Sequence, residues 1–223
     1  MVHARKYLAW YILFILWLAS CDTKQSPASN LKIGKENNQL KEQQVAAFLN
    51  LYTSTDTFPI SISTKVGEWE GPESPNFKWR GLVVPPTYWS VFNSWVSYNR
   101  FATEPLFFAT KRFRVNKTTW ALLTRIPGSF WPSQVVLYLF DTNKRKIIKA
   151  FRLAEAWADS GDSFYLEAKI NKSKQNRFVI YLNQSECHPI DESYEKFTCA
   201  DSLKTYLLSP TMFRLVAQSR GKK

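Results

Sequence analysis

Three groups of side chains in this 223-residue chain have the types and spacing for chemistry. The first is His188, set between Cys187 and Pro189 in the polar stretch SECHPIDESYEKFTCAD. A Ser-His-Asp hydrolase would have to use it, yet no serine occupies the Gly-x-Ser-x-Gly turn that presents a nucleophile. His188 therefore reads as a solvated loop histidine. The second group is Asp159-Ser160-Gly161-Asp162. Paired carboxylates cleave glycosides when they flank the bond from opposite sides, about 5–9 Å apart, and two acids around one glycine lack that opposition. Asp159 and Asp162 suit weak calcium coordination. They equally suit a plain turn, in which Asp and Ser bond their own backbone and Gly takes positive φ. The turn is the expected reading, with no catalytic residue, no metal and no cofactor.

The third group is aromatic. Trp69, Trp79, Trp89 and Trp95 cluster with Tyr88 among them, Tyr98 and Phe101 just after them, and Arg80 and Arg100 beside them; Trp131-Pro132 adds a further ring after Gly128. Flat rings next to hydrogen-bond donors are what a sugar or peptide needs, because apolar contact and cation–π attraction come together. Trp79, Arg80, Tyr88, Trp89, Trp95, Arg100 and Trp131 thus form a candidate binding surface. Large rings also fill the core of a β domain that has few methionines, and both readings stand.

The charge balance narrows the partners. Thirty Lys and Arg against 18 Asp and Glu give a formal +12, which favours anionic partners such as phospholipid headgroups or acidic glycans. The basic residues are dispersed, with runs no longer than Lys144-Arg145-Lys146 and Lys222-Lys223. No arginine-rich arm or zinc-finger spacing is present, so nucleic acid is not expected.

The N-terminus supplies a compartment. Arg5 and Lys6 precede an apolar run from Leu8 to Leu18, then Ala19-Ser20-Cys21. A helix of that length rises only about 16 Å, half of a bilayer span, so the segment suits a signal peptide better than a transmembrane helix. Leu18-Ala19-Ser20-Cys21 resembles the lipobox of bacterial lipoprotein precursors. That resemblance implies a diacylglyceryl group on the Cys21 thiol, cleavage before Cys21 and residence in the bacterial cell envelope, with membrane attachment through the lipid. Loss of Arg5 and Lys6 would lower the formal +12 to +10. With Cys21 carrying lipid, Cys187 and Cys199 remain as a disulfide pair in an oxidising compartment. The segment VVLYLFDTNKRKIIKAFRLAEAWADSGDSF further resembles segments of uncharacterised lipoproteins of Bacteroidota, which bring no activity with them.

Behind these residues stand the elements that must position them. Residues 1–20 read as the signal peptide and 21–38 as the lipidated cysteine and a flexible tether, polar and broken by Pro27 and Gly34. One domain is expected over 39–223. A helix from about Leu40 to Tyr52, capped by Asn38, carries Leu40, Ala47, Phe48 and Leu51 on one stripe. Beyond Phe58 the apolar period changes to two. Phe164, Leu166, Ala168 and Ile170 alternate with Glu167 and Lys169, and Phe113 and Val115 with Arg112 and Arg114. Val135 to Phe140 is apolar throughout, as a strand covered on both faces should be, and DTNKRK then turns into Ile147–Leu153. Further strands are expected near 57–64, 77–84, 119–126, 177–183 and 211–217. The fold class is mainly β: an antiparallel meander, as a sandwich, barrel or propeller-like sheet, with one N-terminal amphipathic helix. The function expected is a lipid-anchored envelope protein, a non-enzymatic binding or accessory module for a polysaccharide or protein partner; an exported hydrolase is the alternative.

Overall fold

A strand that is apolar at every position can be stable only if both of its faces are covered, and β6 (Gln134–Asp141) sits at the centre of the molecule for that reason. In the computed structural model, which describes residues 39–64, 77–92, 107–127, 133–159, 161–191 and 196–222, every residue from Val135 to Phe140 is buried. Val135, Leu137 and Leu139 enter one core cluster, and Val136, Tyr138 and Phe140 enter another on the opposite face. Contacts group Asn37–Lys223 as one compact unit.

The sheet grows outward from β6. The strands β4 (Phe108–Arg114), β5 (Thr119–Ile126), β6, β7 (Lys146–Asp159), β8 (Asp162–Lys172), β9 (Phe178–Pro189), β10 (Phe197–Leu208) and β11 (Phe213–Lys222) pair in chain order, each antiparallel to the next. Three short strands complete the edges: β1 (Thr53–Ser54) lies parallel to β4, β2 (Ile60–Ile62) pairs with β8, and β3 (Leu82–Val83) pairs with β4. The expected antiparallel meander is therefore present, with one parallel contact. Among the described residues the sheet does not close; the arrangement is sandwich-like.

One strand makes the sandwich. β7 pairs with β6 as far as Ala154 and with β8 from Glu155 onward. Where β7 leaves β8, β2 takes its place against Ala168 and Ile170. The two layers then meet through rings: Phe113 of β4 lies 4.8 Å from Phe178 of β9, and Phe151 of β7 lies 4.7 Å from Tyr206 and 4.6 Å from Phe213. The β7–β8 corner is a tight hairpin in which Asp159 pairs with Asp162 and Gly161 has φ 86°, a value glycine adopts without steric cost. Gly81, at φ 68°, is required for a second reason: a Cβ there would lie 2.7 Å from the Ala109 carbonyl oxygen across the β3–β4 contact.

The other face of β4–β6 is covered by α1 (Glu42–Asn50) and a 3-10 helix, Pro86–Phe92. Phe48, fully buried, touches Tyr52, Tyr88, Phe92 and Phe140, with ring centroids 5.4–6.0 Å apart. The helix is shorter than its apolar stripe suggested. Lys41 is the N-cap, its N–H held by the Gln44 side chain at 3.0 Å; Asn38 lies outside the described residues. Leu49 is buried where Ala47 was expected, because the helix presents Phe48 and Leu49 to β5 and β6.

Two buried phenols in this layer give opposite expectations. The Tyr52 hydroxyl bonds Thr124 Oγ1 at 2.9 Å, whereas the Tyr138 hydroxyl has no hydrogen-bond partner among the described residues. Tyr138→Phe should be neutral or stabilising by up to about 1 kcal/mol, and Tyr52→Phe should cost about 1–2 kcal/mol by orphaning Thr124. Burial holds both phenols above the usual tyrosine range. Their contribution is thus complete below about pH 10, where unfolded tyrosine titrates, and falls as pH rises beyond it. Urea unfolding at about pH 8 and about pH 11 should show Tyr138→Phe losing less stability at high pH than the parent chain; an equal loss would contradict the buried assignment.

The C-terminal third departs most from expectation. Cys187 to Cys199 is a hairpin rather than a loop: β9 continues to Pro189 and β10 resumes at Phe197. This β9–β11 ribbon runs beyond the core, so most of its outer residues are partly or fully exposed on both faces and carry no apolar alternation. The expected strand at 77–84 contracts to Leu82–Val83, with Lys78 and Trp79 in a turn.

Candidate functional site

The residues nominated by type are spread over the fold. Trp79 is 1% exposed and packs in the inter-sheet core, where its size fills space between the layers. Tyr88 and Trp89, both on the 3-10 helix, are half-buried, Tyr88 against Phe48 of α1 and Trp89 against Phe107, and the Trp89 Nε1–H donates to the Val84 carbonyl at 2.9 Å. Arg80 is exposed, and its carbonyl accepts from the fully buried Arg125 guanidinium at 3.2–3.3 Å. Trp95, Arg100, Trp131 and Cys21 lie outside the described residues. Cys187 and Cys199 form a disulfide between directly opposed positions of β9 and β10, with Cα atoms 4.1 Å apart. His188 lies on β9 rather than in a loop, and its Nδ1 is 2.9 Å from the Asp162 carboxylate, both side chains about half exposed. Among the described residues no group of three His, Cys, Asp or Glu side chains is placed to hold a metal ion.

A different constellation has the better geometry. Alternation on β4 sends Phe113 into the inter-sheet core, so Arg112 and Arg114 point to the face that α1 covers. Trp120 stands opposite Arg114 on β5. The Arg112 and Arg114 guanidinium carbons lie 4.9 and 4.8 Å from the Trp120 ring centroid. Cation–π contact of this kind holds a flexible arginine in place at about 0.5–1 kcal/mol per pair. The third arginine, Arg145, comes from the β6–β7 turn. Asp141 Oδ1 accepts the Asn143 and Lys144 N–H groups at 2.9 Å, and Arg145 adopts φ 54° to return the chain to β7. Together with Val45, Ala46 and Leu49 of α1, these side chains line a groove of about 440 Å³.

The groove is under-neutralised. Among the described residues none of its three arginines forms an ion pair with a carboxylate. Arg112 donates from Nη2 to Asn50 Oδ1 at 3.2 Å, but its Nε is buried without a hydrogen-bond partner. Burial lowers the Arg112 pKa, yet a guanidinium stays charged in proteins. One acid, Glu42, lines the groove against the three arginines, which leaves a formal +2. Planar forks held in place beside a concavity match the geometry of carboxylate and phosphate groups. The Arg-x-Arg alternation was visible in the sequence as an outward-facing pair. What hid the groove was its other wall, since Asn50 is 62 residues from Arg112.

Residues 1–38 are outside the described part, and among the described residues no helix is long and apolar enough to cross a membrane. Compared with protein-family models, with curated proteins and with solved structures, the chain matches none of them.

Proposed function

We propose that this chain is a lipid-anchored protein of the bacterial cell envelope, and that its β domain is a non-enzymatic module binding an anionic partner. The observation that carries the binding part is the groove of Arg112, Arg114 and Arg145 around Trp120, three cations with no paired carboxylate among the described residues. Acidic polysaccharide, an acidic protein segment and phospholipid all present suitable groups. The anchoring part rests on the lipobox-like Leu18-Ala19-Ser20-Cys21. The alternative, an exported hydrolase, has support only from the half-exposed Asp162–His188 contact.

Two or three acyl chains give stable membrane attachment where one is marginal. Cys21→Ala should therefore produce an unlipidated chain that leaves the membrane fraction, read by mass spectrometry and fractionation. A Cys21→Ala chain that stays in the membrane with its leader removed would overturn the anchor. For the binding part, Arg114→Gln should weaken the binding of any anion that the parent chain retains, and a parent chain that retains none would overturn it.

A further inference from the structure

We infer that the arginine groove is a phosphate site for the anionic phospholipid of the bilayer that carries the anchor. This rests on the lipid-anchored reading above and narrows its partner to one chemistry. The groove offers both halves of an amphiphile's requirement. Arg112, Arg114 and Arg145 face a phosphate, and Val45, Ala46 and Leu49 form an apolar wall beside them. A free anion has no use for that wall, whereas the glycerol backbone and first methylenes of a lipid do.

The surroundings extend the charge. Lys144 and Lys146, both exposed, flank Arg145 in its turn. Exposed Lys41 precedes α1 and is brought to the same place, because the Leu40 N–H donates to the Arg145 carbonyl at 2.9 Å. The acids nearby are Glu42 in the groove and Asp141, whose Oδ1 is engaged by the turn backbone. A cluster of this kind beside a bilayer is attracted to anionic headgroups.

Chain length places the ligand within reach. Twenty residues separate Cys21 from Glu42, and the flexible tether read from the sequence would span about 25 Å on average. A groove lined by α1 is therefore held near the leaflet, at an effective headgroup concentration in the millimolar range, where even a weak site is occupied.

The test uses the mature lipidated chain from Cys21 onward in neutral detergent, titrated calorimetrically with short-chain phosphatidylglycerol, short-chain phosphatidylcholine, inorganic phosphate and polygalacturonate. Phosphatidylglycerol should bind at least tenfold more tightly than phosphatidylcholine and more tightly than inorganic phosphate. The double variant Arg114→Gln/Arg145→Asn should lose at least tenfold in that affinity; asparagine tolerates the left-handed backbone at residue 145. Arg177→Gln/Arg214→Gln, in a separate cavity near the β10–β11 turn, should leave it unchanged. Thermal unfolding of each variant identifies any that fails to fold, and Arg114→Gln alone then carries the comparison. Equal binding of the two lipids, parent-like binding by the groove variants, or preference for polygalacturonate or phosphate would each overturn the inference. Preference for polygalacturonate would leave the anionic-partner reading standing. The mass of residue 21 reports on the anchor independently.

Discussion

Phe48→Ala should lower the stability of the domain by about 4 kcal/mol. Phe48 is fully buried and is the common neighbour of four rings, Tyr52, Tyr88, Phe92 and Phe140. Removing it leaves a cavity between α1 and the sheet that stiff aromatic neighbours cannot collapse to fill. The helix is only nine residues long, too short to persist in water without its packing. Against a typical total of about 5–15 kcal/mol, such a loss also detaches the wall of the arginine groove. Urea unfolding and anion titration should therefore fail together. Phe48→Leu should retain most of both. A cost under about 1 kcal/mol for Phe48→Ala would mean that α1 does not pack on β4–β6 as described.

The second large effect is expected from the disulfide. Replacing both Cys187 and Cys199 with alanine removes a bridge spanning 12 residues, worth about 3 kcal/mol in the chain-entropy view. The loss should be unevenly distributed. Around the bridge the ribbon has little apolar burial, and its inner face carries a polar chain in which Gln184 donates to Glu186 at 2.7 Å and accepts from Lys204 at 3.2 Å. Without the cross-link, backbone hydrogen bonds are the main restraint on residues 186–191 and 196–200. Their amides should exchange about tenfold or more faster, while those of β6 keep their protection. Unchanged exchange at Glu186 and Ala200 would show that the ribbon holds itself.

How much of this was legible depended on where solvent sits. β6 and β8 were readable because burial imposes a pattern: continuous apolar residues where both faces are covered, alternation where one is. The DTNKRK turn was readable because Asp141 bonds its own backbone. Past Gln184 water reaches both faces of β9, so no apolar pattern marks the strand, and the run around Cys187 looked like a loop. The groove was illegible for a different reason. Arg112 and Arg114 were recognised as alternating outward, but only the tertiary path brings Asn50, Trp120 and Arg145 to them, and periodicity contains no information about that path. The aromatic cluster shows the converse: residue type nominated Trp79, and its large apolar area is used in packing.

The hydrogen bond from the Leu40 N–H to the Arg145 carbonyl joins the start of the domain to the turn carrying one of the groove's cations. Tension on the preceding segment would be transmitted at that junction before it reached any strand. Such a pull would then shear the β6–β7 turn and displace Arg145, coupling the geometry of the groove to load at the start of the domain.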